Sequence, residues 1–340
     1  VPASPASSPV EALRAAFYDT LRLLFVPFLP GRWIRLCLIG LFLGGGTSTA
    51  AFHWSLSSLP SDFGLGWRLE SFQMFLAENA WLLGVMVLVA LAVGLSLLYI
   101  RALCRFALVD TILERRAALR MAARKHRALT RSYFRWLLGI LVTMGLSFST
   151  VVLLVRPYLS TTETSLTTSL LVAALLAGTV LAGLLLAGFA ALTDDLAVPV
   201  MVAERLPLAA AWRRLLGLAR AEPISFVLYL LLRFVVAIGA GVAALLFLFP
   251  TLLTLFSGAM ITSTLTVISL RFWGVEWVWN PATLLLAVLA LLMLSTLILA
   301  LLSLAGMPGV VLLQTFGIRF VSPRIPTLRM LSESASQDGS

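Results

Sequence analysis

The sequence predicts an all-α, polytopic transmembrane helical bundle of about six spans in three hairpins, each hairpin preceded by a basic amphipathic interfacial helix. Three observations predict it. The 340 residues are 60% hydrophobic and 12% charged, with a mean hydropathy of +1.02, whereas soluble domains run at about 45–50% apolar and about 25% charged. Apolar runs long enough to cross about 30 Å of hydrocarbon recur along the chain. Arginines also crowd one set of loops. Between Arg101 and Arg135 stand Arg105, Arg115, Arg116, Arg120, Arg124, Lys125, Arg127 and Arg131, with Asp110 and Glu114 against them. Basic loops stay on the cytoplasmic side of a membrane, so this segment fixes the side of every other loop.

The first eight residues are rich in Pro, Ser and Ala and read as a tail. Without a basic n-region and apolar h-region, a cleaved signal peptide is not expected. Ser8-Pro9-Val10-Glu11 has the form of a capping box with Pro at the first helical position. The helix it opens carries Leu13, Phe17, Leu21 and Leu24 on one face and Arg14, Tyr18 and Arg22 on another, the pattern of a helix lying on a membrane. Pro27 and Pro30-Gly31 end it. Arg32, Trp33 and Arg35 anchor a first span over about 34–52, in which Gly40 and Gly44 have the spacing that lets helices approach closely. Residues 54–79 form a polar outer loop.

The second span starts near Trp81, is apolar through Ile100, and continues as a helix to about Arg116. An amphipathic segment over 117–131 follows, then span three over Tyr133–Val155, a short Thr/Ser loop, and span four over about Leu170–Leu192 with an extension through Asp194, Asp195 and Pro199. Pro207 opens a third amphipathic helix with Leu208, Trp212 and Leu215 opposite Arg213, Arg214 and Arg220, closed by Glu222-Pro223. Span five covers Ile224–Phe249. The stretch 250–280 starts at Pro250 and ends in Phe272, Trp273, Trp277 and Trp279, a cluster suited to the outer interfacial belt. Span six covers about Pro281–Leu304, is broken or kinked at Met307-Pro308-Gly309, and ends near Phe320; residues 321–340 read as a polar tail. Six spans put both termini on the basic side, so both termini are expected to be cytoplasmic.

The same unit, a basic amphipathic helix, a span, an outer loop and a span with a long inner extension, recurs over 8–116, 117–206 and 207–320, giving one transmembrane domain over 1–320 made of three pseudo-repeats. These units run parallel, so duplication for packing is favoured over the inverted architecture of many transporters.

Several short segments carry a resemblance: Phe28-Leu29-Pro30-Gly31-Arg32-Trp33, Arg105-Phe106-Ala107-Leu108-Val109-Asp110, Asp195-Leu196-Ala197-Val198-Pro199, Ala211-Trp212-Arg213-Arg214 and Phe226-Val227-Leu228-Tyr229. With these the chain resembles an uncharacterised family of polytopic bacterial inner-membrane proteins. More distantly, it is similar to the membrane domain of glycerophosphodiester phosphodiesterases. The catalytic domain of those enzymes, with its His/Glu/Asp metal site, has no counterpart in this sequence. The resemblance implies a membrane architecture, with a bacterial cytoplasmic membrane as the expected location, and no activity.

Charges inside spans are costly and demand partners. Arg101, Arg105, Asp194, Asp195 and Arg233 are therefore the candidate structural intramembrane charges. Arg233 lies ten residues beyond Pro223, about 15 Å at helical rise, and Asp195 lies at a comparable depth before Glu204. Arg105 or Arg233, or both, are expected to pair with Asp194 or Asp195. Arg124, Lys125, Arg213 and Arg214 are candidates for anionic headgroups of the inner leaflet. His53 and His126 stand alone, and no Cys/His/Asp/Glu set has metal spacing. Cys37 and Cys104 read as core residues, Gly44-Gly45-Gly46 lacks phosphate-loop spacing, and two isolated His cannot supply a hydrolytic triad. No catalytic, cofactor or metal residue is assigned. The basic balance is topological; nucleic-acid binding would need a soluble basic face with stacking aromatics. The expected function is a non-enzymatic accessory or scaffold subunit of a larger membrane complex, partnered by membrane lipids and other subunits. A transporter or lipid-handling protein is the alternative.

Overall fold

The computed structural model describes residues 8–26, 30–43, 80–114, 124–159, 166–272 and 281–337. Its elements are helices: α1 (Pro9–Phe25), α2 (Pro30–Leu43), α3 (Ala80–Glu114), α4 (Arg127–Leu159), α5 (Leu166–Leu192), a π-helical turn (Thr193–Ala197), α6 (Val198–Glu204), α7 (Leu208–Ala221), α8 (Pro223–Phe272), α9 (Pro281–Val321), a 3₁₀ turn (Ser322–Arg324) and α10 (Pro326–Gln337). Among the described residues, five stretches are long and apolar enough to cross a membrane: Val87–Leu113, Arg127–Val155, Ser169–Glu204, Pro223–Gly258 and Leu292–Arg324. The polytopic membrane character is thus carried by five helices. The first expected span is described only as α2, a shorter apolar helix; its remainder, Gly44 to Gly46, His53 and the loop 54–79 lie outside the described residues.

α1 begins as its sequence dictates. Ser8 Oγ accepts from Glu11 N (3.3 Å) and Glu11 Oε2 accepts from Ser8 N (3.0 Å), which satisfies two amide donors that an unfinished helix end leaves open. α7 is likewise present where expected. The segment 117–131 is not a separate helix at its C-terminal end. Residues from Arg127 already belong to α4, because nothing between Arg127 and Tyr133 breaks a helix. Pro250 does not end α8 either, and the helix runs 50 residues to Phe272, about 75 Å at helical rise. Its missing N–H is tolerated beside hydroxyls that reach neighbouring carbonyls: Thr251 donates to Phe247 O (3.4 Å) and Thr254 to Pro250 O (3.1 Å). α9 also continues through Pro308 to Val321.

Residues 321–340, expected as a polar tail, enter the core over their first part: Val321, Ile325 and Leu328 are fully buried, and Pro326–Gln337 is helical. Their apolar side chains recur within one short segment and enter the core, although the surrounding Pro and Ser give that segment a tail-like composition.

The C-terminal half of α9 is the hub of the packing. It touches α1, α2, α8, α3 and the π-turn; α2 also lies on α3, α3 on α4, α4 on α5, and α10 on α6 and α3. Two apolar clusters fill this end of the bundle. The larger one joins Phe106, Tyr133, Met201, Leu215, Tyr229, Phe316, Phe320 and Leu328. The second joins Leu24, Leu36, Ile39, Leu108, Met307 and Val311. Two glycines set close approaches: a Cβ on Gly40 would stand 2.8 Å from Met307 Sδ and Ser303 Oγ, and one on Gly309 2.8 Å from Ala240 Cβ. Ser303 Oγ donates across the first contact to Cys37 O (2.7 Å). Toward the other end the apolar side chains are uncovered, with Leu88 68%, Phe148 66%, Leu185 68% and Leu246 71% exposed.

Candidate functional site

The site is built on the π-turn between α5 and α6, and proline chemistry places it there. Pro199 has no N–H, so in a regular α-helix Asp195 O would lose its donor and meet the proline ring. The wider turn relieves this: Val198 N–H reaches back five residues to Thr193 O. Val198 N is then withdrawn from Asp194 O, and Gln314 Nε2 on α9 donates to that carbonyl instead (3.3 Å). Asp195 O faces Gly317, where a Cβ would lie 2.2 Å away. Only glycine lets α9 come this close. The π-turn also turns two consecutive carboxylates inward, which a regular helix, rotating about 100° per residue, does poorly.

Asp195 is the centre. Arg105 Nη2 donates to its Oδ1 (2.9 Å) and Arg233 Nε to its Oδ2 (2.6 Å), so both carboxylate oxygens hold a guanidinium. Asp194 Oδ2 lies 3.6 Å from Arg105 Nη2, and Tyr133 Oη donates to Asp194 Oδ1. The side chains of Arg105 and Asp195 are 7% and 4% exposed, those of Asp194 and Arg233 15% and 16%. Two arginines and two aspartates leave the group formally neutral, the condition under which buried charge is tolerable. Four spans meet here: α3 through Arg105, α4 through Tyr133, the α5–α6 unit through both aspartates and α8 through Arg233, with α9 bonded to the backbone beneath. Tyr229 stacks on Phe320 (4.5 Å between centroids) and lies tilted against Phe316 (4.7 Å) in the adjoining core.

Of the expected intramembrane charges, the structure brings Arg105, Asp194, Asp195 and Arg233 together. Arg101, one turn before Arg105 and half-buried, makes no ion pair with the described residues. Tyr133, Gln314 and Gly317 were missed because uncharged residues in an apolar run carry little signal; the Asp-Asp-x-x-x-Pro spacing was the readable cue for the turn. His126, read from sequence as isolated, is buried with Nε2 3.1 Å from both oxygens of Asp110, and its ring stacks on Phe106 at 5.7 Å. A single carboxylate sixteen residues earlier on another helix leaves no local pattern to read.

The headgroup candidates divide. Lys125 Nζ lies 3.7 Å from Asp110 and Arg214 Nε 3.9 Å from Glu204, while Arg124 and Arg213 are exposed. Two further pairs close the bundle end. Arg319 Nε donates to Asp19 Oδ2 (2.6 Å), linking α9 to α1. Arg324 Nη2 donates to Glu222 Oε2 (2.7 Å) while its guanidinium lies 4.2 Å over the Phe320 ring. Among the described residues no three His, Cys, Asp or Glu side chains stand close enough to share a metal ion.

A family model matches residues 7–331. The chain belongs to DUF7544, a family of unknown function. No curated protein and no solved structure matches it. The DUF7544 match runs from just before the Ser8 cap into α10, so it takes in every member of the charge cluster and the α9 contacts beneath it. Within this DUF7544 chain the cluster can tie helices together, since each carboxylate oxygen of Asp195 is already engaged.

Proposed function

We propose that this chain is a non-enzymatic integral membrane protein acting as an accessory or scaffold subunit of a larger membrane complex. One observation carries the reading. The most apolar window of each candidate span is between 0% and 17% buried within the chain, although each helix has neighbours at the packed end. A self-contained bundle covers a stripe along the full length of each helix; here long apolar faces are left for other subunits and lipid. The formally neutral cluster, with a guanidinium on each carboxylate oxygen of Asp195, supports a rigid tie more than a moving part.

The finer topology belongs to the same proposal. Six spans form three hairpins in a bacterial cytoplasmic membrane, and both termini are cytoplasmic. The threefold repeat is supported by the order of packing. α1 lies on α9, His126 pairs with Asp110 on α3, and α7 lies on the π-turn and α6. The described part of each unit's amphipathic segment thus meets the second-span extension of the preceding unit, with the third unit serving the first. The resemblance to the membrane domain of glycerophosphodiester phosphodiesterases fits a role without catalysis.

Photo-crosslinkers placed at Leu184 on α5 and Leu246 on α8 test the scaffold reading in native membranes. A discrete protein adduct of constant mass at either site is expected; adducts to lipid alone would remove its basis. A transporter or lipid-handling protein is the second reading, favoured by charge at depth within spans. It requires water at the cluster, so rapid modification of a cysteine at position 194 by a membrane-impermeant thiol reagent would favour it over the scaffold. Cysteines at 124 and 65 are expected to label from opposite sides of the membrane.

A further inference from the structure

The first three turns of α4 carry Arg127, Arg131 and Arg135, all exposed. At about 100° and about 1.5 Å per residue they form one strip about 12 Å long. The opposite side of the helix holds Thr130, Tyr133 and Leu137, all buried. No carboxylate among the described residues pairs with any of the three arginines. By contrast Arg105, Arg233, Arg319 and Arg324 each have one. Like charges four residues apart on a helix repel, and among the described residues no carboxylate offsets the strip. Further along, the same face passes over Gly139, where an added Cβ would meet nothing within 4 Å. It then becomes apolar at Val142 and Leu146, 51% and 64% exposed.

We propose that this face of α4 is a binding site for an anionic phospholipid, with the phosphate held by Arg131 and Arg135 and an acyl chain lying over Gly139, Val142 and Leu146. Guanidinium groups one turn apart match a phosphate with paired N–H donors. The apolar continuation of the same strip selects a molecule with a tail over a free anion. Arg127 stands one turn nearer the helix start and widens the field that draws the headgroup in. The site rests on α4 crossing the membrane and is independent of the scaffold role. It also lies away from Lys125 and Arg214, whose charges already face Asp110 and Glu204.

The test uses the full chain in neutral detergent, titrated with phosphatidylglycerol, phosphatidylcholine or inorganic phosphate and read by native mass spectrometry. The parent chain is expected to retain phosphatidylglycerol over phosphatidylcholine. Arg131→Gln with Arg135→Gln is expected to weaken phosphatidylglycerol about 30-fold, the loss expected for two basic contacts at a membrane surface. Removing the equally exposed Arg14 and Arg22 by the same change is expected to leave it within about threefold. Arg131→Lys with Arg135→Lys keeps both charges and guards against a folding defect; it is expected to bind with at most about a fivefold loss. Equal retention of the two lipids by the parent, equal loss in both glutamine doubles, or displacement by inorganic phosphate at the lipid's concentration would overturn the site. Any of these results leaves the scaffold reading untouched, because that is read from protein adducts on α5 and α8.

Discussion

Asp195 accepts from two arginines on two different helices, and the cost of losing it follows from what it would leave behind. Asp195→Asn keeps the volume but removes the carboxylate that Arg105 and Arg233 both donate to, and leaves Asp194 alone against two guanidinium groups. Removing one partner of a buried pair costs about 3–5 kcal/mol, so a large drop in melting temperature in detergent is expected; unchanged melting would contradict a structural role. Gly317→Ala tests the other side of the same contact. Its methyl would run into Asp195 O, a backbone atom that cannot swing aside, and a loss of about 3 kcal/mol, the upper end of the usual overpacking cost, is expected. Gly178→Ala, with nothing within 4 Å of its Cβ, is expected to be neutral or to gain up to about 1 kcal/mol through better helix propensity. Thermal melts of the two alanine variants side by side separate close approach from propensity. The charge partners were legible because depth can be counted from a helix start. Gln314 and Gly317 were not legible, since their role depends on which carbonyls a neighbouring helix leaves unbonded.

Helices were the most readable elements, and their ends the least. α3 follows the sequence expectation closely, from Ala80 to Glu114, because its apolar run and basic extension contain no breaker. α8 departs from it. Pro250 signals a stop in water, yet the helix continues, since apolar surroundings offer the backbone no competing partner and nearby threonines supply hydroxyls. α10 shows the reverse error: composition weighs every residue equally, whereas two fully buried side chains, Ile325 and Leu328, decide its place. Removing residues 326–340 is therefore expected to uncover the larger apolar cluster and lower the melting temperature. Removal of residues 338–340 alone is expected to change nothing measurable. A differential scan of both truncations checks this.

At the scale of the molecule, order is concentrated at one end. Arg105, Asp195, Arg233, Gln314 and the Arg319–Asp19 pair all lie there, while the opposite halves of the spans present apolar surface. The fold class was legible from hydropathy, which needs no knowledge of neighbours. The uneven packing was not, because a leucine facing lipid and one facing another helix are identical in sequence.

The Arg319–Asp19 pair joins residues 300 positions apart, and α9 also supplies the surface on which α2 settles. A ribosome feeding this chain into a membrane must therefore release nearly all of it before the earliest helices find their seats. Nascent chains halted before Ala305 are expected to sit inserted yet unassembled, open to proteases. Pulse-labelled truncations should show half-lives that lengthen abruptly once Gly317 and Arg319 have emerged, and a gradual lengthening would deny α9 its place as the last piece to lock the others.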